Sequence, residues 1–97
     1  MIDVSQVVIA VDTQRVGESI IIRPMLQSPS ALTLQYRMTV RQSSSNGTSS
    51  INQNGELHSG TDASVVQLSM PAGASCQVHL EVFQDDTLLK QVDSACD

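Results

Sequence analysis

Apolar and polar residues alternate with a period of two along most of this chain. In LTLQYRMTV, Leu32, Leu34, Tyr36, Met38 and Val40 fall on one side and Thr33, Gln35, Arg37 and Thr39 on the other, the pattern of a strand with one buried face. The same alternation places Val66, Leu68 and Met70 on one face of ASVVQLSM, and Cys76, Val78, Leu80 and Val82 on one face of CQVHLEVF. The runs VVIAVD, ESIIIRPML, TSSINQ and TLLKQV complete a set of seven predicted strands. Turn signals separate them: Val16-Gly17, Asn46-Gly47, Asn54-Gly55, Pro71-Ala72-Gly73 and Asp85-Asp86. No window of helical length shows a 3.6-residue period with caps. Seven short strands in 97 residues predict an all-β fold, a seven-stranded immunoglobulin-like antiparallel β-sandwich. The chain has no tryptophan and no cysteine pair spaced to bridge two sheets, so this expectation rests on strand count.

Ninety-seven residues with 40% apolar content supply one modest core, which predicts a single immunoglobulin-like domain over residues 1–97. No apolar run reaches the length of a membrane helix, so no membrane insertion is expected. The start, MIDVSQ, has neither a basic flank nor an apolar core. Either the protein is cytosolic or Met1 replaces a removed signal peptide.

The two cysteines acquire a place if the last two strands form a hairpin about Asp86. Facing positions then pair Phe83 with Leu89, Leu80 with Val92, Val78 with Ser94 and Cys76 with Cys96. Both thiols share the core parity of Val78 and Leu80, and directly opposed strand residues have the spacing a disulfide needs. A structural staple is the preferred reading. A redox role is the weaker one, because no Cys-x-x-Cys spacing or flanking base lowers a thiol pKa.

Other candidate chemistry is thin. Cys76 and His79, with His58 as a third group, resemble metal ligands, yet residues three apart on a strand face opposite ways and a fourth ligand is missing. Asp85-Asp86 lacks the oxygen series of a calcium loop and reads as a hairpin tip. LHSGTD holds His, Ser and Asp in succession without a nucleophile elbow. Asn46-Gly47-Thr48 matches a glycosylation acceptor but is a hairpin turn in its own right. We therefore expect no catalytic residues, no metal and no cofactor.

Charge changes the picture more. From Ser19 to Gly55 there is no acidic residue, only Arg23, Arg37 and Arg41. The segment from Glu56 to Asp97 carries −6 and the first eighteen residues −2, which with the +3 of the middle gives the net charge of −5. Arg37 and Arg41 lie on the polar side of one strand, about 13 Å apart, among Thr33, Gln35 and Thr39. Such a row can meet an acidic or polar partner, or pair with acids on a neighbouring strand, or stay solvated. Negative net charge and an aromatic content of 2% argue against nucleic acid, and the same poverty argues against carbohydrate. The stretch from Ser43 to Gly55 is rich in Ser, Asn and Gly with Ile51 its only apolar residue. It is either a floppy hairpin tip or a flat polar edge strand that other β-prone chains could join.

The succession SIIIRPML, LTLQYRMTVRQSSSNG, ASVVQLSM and CQVHLEVFQDDTLLKQ, spanning Ser19 to Gln91, resembles the small periplasmic curli chaperones of the CsgC/CsgH family. The likeness lies in strand pattern and polar-loop placement. It implies an immunoglobulin-like sandwich in the periplasm, where a disulfide is at home. It also implies that the protein keeps amyloidogenic curli subunits, the fibre material of biofilms, from assembling before export. Where the CsgC branch carries Cys-x-Cys, this chain has SPSALTLQY, which removes that branch's redox association and points to the CsgH branch. The resemblance assigns electrostatic client contact to a basic sheet face, a role that Arg37 and Arg41 inherit here with Thr33, Gln35 and Thr39 beside them. The expected protein is a monomer, bound weakly and transiently to early aggregation species. The competing readings are a structural or adhesive sandwich of a surface assembly, and a thiol-disulfide protein.

Overall fold

In the computed structural model the described residues are 4–45, 47–60, 65–71 and 73–96. Met1, Asn46, Thr61, Asp62, Ala63, Ser64 and Ala72, which figure in the expectations above, lie outside them. After a short 3-10 turn at Val4–Gln6 come seven strands: β1 (Val8–Val16), β2 (Ser19–Gln27), β3 (Thr33–Ser44), β4 (Gly47–His58), β5 (Val66–Ser69), β6 (Ser75–Gln84) and β7 (Thr87–Ala95). They form two antiparallel sheets, one ordered β1-β2-β5 and the other β4-β3-β6-β7. This is the immunoglobulin-like sandwich that the alternation predicts. It differs from the constant-type partition in one respect: the fourth strand stays beside the third, so the larger sheet is the one that holds the last two strands.

Alternation decides what each strand buries. Ile20, Ile22, Pro24 and Leu26 of β2 meet Leu34, Tyr36, Met38 and Val40 of β3 and Cys76, Val78, Leu80 and Val82 of β6 in one core. Val66 and Met70 are buried and Leu68 half-buried, on the shared face that the sequence assigns them. Pro24 sits in the central strand of its sheet, but β5 pairs with β2 only from Ser19 to Ile22. Past Ile22 no strand lies on that side of β2 among the described residues, so a residue without an N–H removes no bond to β5.

Two turns differ from expectation. Asn54-Gly55 is no turn: both residues lie within β4, where Gly55 faces Tyr36. A Cβ on Gly55 would stand 3.4 Å from Tyr36 Cε1, so the ring covers the glycine and the strand runs through it. The hairpin tip of β6 and β7 consists of Asp85 and Asp86, both with positive φ (49° and 65°), the backbone of a two-residue primed turn. That turn pairs Gln84 with Thr87, and a bulge between Val82 and Phe83 then shifts the register. Phe83 therefore faces Leu88, not Leu89, while Leu80–Val92 and Val78–Ser94 pair as predicted.

Candidate functional site

The staple is in place. Cys76 and Cys96 form a disulfide with Cα atoms 5.0 Å apart, and the Cys96 N–H donates to the Cys76 carbonyl at 3.1 Å. Cys76 is fully buried and Cys96 2% exposed. A thiol exchange partner has no access to such a bond without opening the hairpin.

Thr33, Gln35, Arg37, Thr39 and Arg41 all lie on the outer face of β3, opposite in parity to its buried residues. Their neighbours on β4 are His58, Glu56, Asn54, Asn52 and Ser50. On β6, Gln35 faces Phe83, Arg37 faces Glu81, Thr39 faces His79 and Arg41 faces Gln77. The next row, on β7, puts Asp93 beside His79 and Gln91 beside Glu81. Cross-strand hydrogen bonds tie the row down: Thr39 Oγ1 donates to Asn52 Oδ1 at 3.0 Å, and Thr33 Oγ1 shares a bond of 2.8 Å with His58 Nδ1.

The face is mixed in sign. Arg37 Nη1 stands 4.0 Å from Glu81 Oε1, its side chain 65% exposed, and its guanidinium lies over the Phe83 ring at 5.6 Å. That long, wet ion pair is a loose tether rather than a lock. Arg41 makes no ion pair among the described residues and shares a shallow hollow with Thr39, Gln77, His79 and Asp93. His79 completes the acidic side: its Nδ1–H donates to Asp93 Oδ1 at 2.6 Å, and its Nε2 lies 3.6 Å from Glu81 Oε2. The Asp93 hydrogen bond raises the His79 pKa above 6.5; partial burial opposes this, and the charges of Asp93 and Glu81 reinforce it.

Glu81, His79 and Asp93 belong to this site although strand parity alone does not point to them. Parity shows which way Arg37 faces, whereas the β3–β6 register that brings Glu81 beside it has no local signal. His58 and His79 share the outer face, but β3 lies between their strands, with His58 opposite Thr33 and His79 opposite Thr39, and Cys76 faces inward to its disulfide. No group of three metal-ligating side chains gathers among the described residues. No helix there is long and apolar enough to cross a membrane.

No protein-family model matches the chain, and no curated protein sequence does. Its fold is similar to that of R. palustris CsgH, with a TM-score of 0.75 at 17% identity over 92% of this chain and 91% of that one. It is also similar to the E. coli curli protein CsgC, with a TM-score of 0.65 at 13% identity over 90% of this chain and 94% of that one. The chain has the sandwich fold of CsgH and CsgC, matched across nearly the full length of each.

Proposed function

We propose that this protein is a periplasmic, chaperone-like inhibitor of amyloid formation by a curli subunit, acting by weak electrostatic contact from the outer face of β3. The observation that carries the reading is Arg37 and Arg41 held exposed in a row of Thr and Gln, on a sandwich that shares its fold with CsgH and the curli protein CsgC. A client rich in Ser, Gln, Asn and Gly, with scattered acidic residues, offers hydrogen bonds to Thr33, Gln35 and Thr39 and carboxylates to the arginines. Arg41 is the primary contact, having no ion pair among the described residues; Arg37 joins by exchanging Glu81 for a client carboxylate. Contact on rare early oligomers delays nucleation at a small fraction of the client concentration. An oxidising compartment suits the buried disulfide.

The test is the fibrillation lag of a purified curli major subunit with this protein added far below equimolar, across an ionic-strength series. The expected result is a lengthened lag that shrinks by at least half for Arg37→Glu/Arg41→Glu. An unchanged lag at every ratio refutes the chaperone reading. A folded double variant that inhibits as well as the parent at low salt refutes the arginine contact.

A further inference from the structure

We propose that the free edge of β4 accepts an extended, Gln/Asn/Ser-rich segment of an amyloid-forming chain as a fifth strand, paired along residues 48–56. The inference rests on the client reading above and supplies its binding mode. β4 is the outermost strand of its sheet and, among the described residues, pairs with β3 alone. The ladder parity is fixed at both ends. Ser59 N–H donates to the Leu32 carbonyl at 2.9 Å, and the pairing runs to Ser44 opposite Gly47 with no register shift between. Pairs of that parity exchange their hydrogen bonds with β3, and the alternate residues turn theirs outward. Thr48, Ser50, Asn52, Asn54 and Glu56 thus present N–H and C=O groups along the open edge.

The other three edges are blunted and this one is not. β5 is four residues long. β1 carries Asp12 and Arg15, and β7 carries Lys90 and Asp93, with the Lys90 ammonium donating to the Val7 carbonyl. β4 runs for twelve residues without proline or bulge and without a charge from Gly47 to Gly55. Length, an unbroken ladder and lack of charge are the features that natural edges avoid unless a strand is meant to join them.

The side chains select the occupant. Those on the outer face of this edge are Thr48, Ser50, Asn52 and Asn54, so an arriving strand with Asn or Gln at alternate positions stacks amide on amide. Thr39 donates to the Asn52 carbonyl oxygen, which leaves the Asn52 amide hydrogens for the newcomer. A fifth strand lies about 4.8 Å beyond β4 and so roughly 10 Å from β3. Arg41, opposite Ser50, reaches an acidic side chain on its outer face across that gap. Captured on a twisted sheet backed by a folded core, the segment cannot join the flat in-register stack of a fibril.

The probe is a blocked twelve-residue peptide of Gln, Asn and Ser with one central Asp, titrated into the full-length protein. Saturating peptide is expected to slow amide exchange at Thr48, Ser50, Asn52 and Asn54 by at least about tenfold. Ser50→Pro/Asn54→Pro removes two outward N–H groups and none from the β3 ladder, and is expected to weaken peptide binding and lag extension about tenfold or more. No slowing at these amides under saturation overturns the proposal, and decides the matter if the proline variant fails to fold. So does a folded proline variant that binds like the parent. If that variant inhibits normally while Arg37→Glu/Arg41→Glu does not, the edge is refuted and the face reading stands; the opposite pattern removes the face and keeps the edge. Protection that grows with protein concentration before peptide is added identifies the occupant as a second copy and also overturns the proposal.

Discussion

Removing the Cys76–Cys96 bond tests how this sandwich is held together. The bond closes a loop across a sequence separation of 20. In the chain-entropy model, opening such a loop returns about 11 cal/mol/K to the unfolded chain, or about 3.3 kcal/mol at 25 °C. The folded hairpin keeps its register without the bond, because eight cross-strand pairs from Gln77–Ala95 to Gln84–Thr87 remain and Val78, Leu80 and Val82 still anchor it in the core. Cys76→Ala/Cys96→Ala is therefore expected to fold to the same sandwich with a smaller margin. Losing two buried sulfur atoms adds roughly 1 kcal/mol of lost packing. For a domain of this size, each kcal/mol moves the Tm by about 4–8 °C, so the predicted fall for the combined loss of about 4.3 kcal/mol is about 17–34 °C.

The assay is thermal denaturation followed by circular dichroism, parent against double variant at one pH, with a spectrum below the transition to establish that both are folded. A fall of less than about 4 °C, equivalent to roughly 1 kcal/mol or less, refutes the argument. It would mean that the unfolded chain already keeps its last two strands together, so the bond constrains little. The same protein answers the thiol-exchange reading. Reduction by glutathione below the transition is expected to be slow and limited by hairpin opening, and exchange within seconds would restore that reading.

Two further predictions follow from the packing and from the acidic side of the outer face. Leu80→Ala empties a fully buried position between Met38 and Val92 and is expected to cost about 3 kcal/mol, read as a lower urea midpoint with an unchanged m-value. His79 has a pKa raised above 6.5 by Asp93 and Glu81, so its stabilising contribution is complete below pH 6.5 and fades as pH rises through the raised value. Parent minus His79→Gln stability should therefore shrink between pH 6 and pH 8.5, measured as a difference in Tm; a difference that is flat or grows with pH contradicts the Asp93–His79–Glu81 geometry.

Legibility in the sequence followed the range of the contacts. The faces of β3 are readable because parity is a local property: Leu34, Tyr36, Met38 and Val40 bury while Arg37 and Arg41 do not. The Cys76–Cys96 pairing is readable because β6 and β7 are joined by a tight turn, and a bulge after Val82 restores the register that the two-residue tip displaces. Asp85-Asp86 gives little warning of two positive φ values, a turn for which Asn-Gly is the stronger signal. Gly55 misleads for the converse reason. Its glycine reads as a turn signal, but Tyr36, nineteen positions earlier, supplies the surface that keeps it in a strand. Glu81 beside Arg37 is least readable of all, since the β3–β6 register is fixed by core packing across the whole β4–β5 segment.

The mixed face has a consequence for how salt acts on client capture. The protein carries −5, so an acidic client is repelled at long range even though Arg41 attracts it at contact. At a centre separation of ~25 Å, in keeping with a body 47 × 23 × 19 Å, the repulsion is about 0.8 kcal/mol per client charge in unscreened water. A Debye length of about 30 Å at 0.01 M leaves roughly 0.4 kcal/mol of this, whereas about 8 Å at 0.15 M leaves less than about 0.1 kcal/mol. An arginine–carboxylate contact at ~4 Å is worth about 1–4 kcal/mol, keeps about three-fifths of that at 0.15 M and about a quarter at 1 M. Repulsion thus disappears before attraction does. For a contact of about 1 kcal/mol, the roughly 0.3 kcal/mol of repulsion relieved between 0.01 and 0.15 M offsets the attraction lost, and a stronger contact loses more than it regains. Lag extension should therefore hold level or decline modestly up to physiological ionic strength and fall steeply toward 1 M, and Arg37→Glu/Arg41→Glu, which leaves only repulsion, should lose that fall.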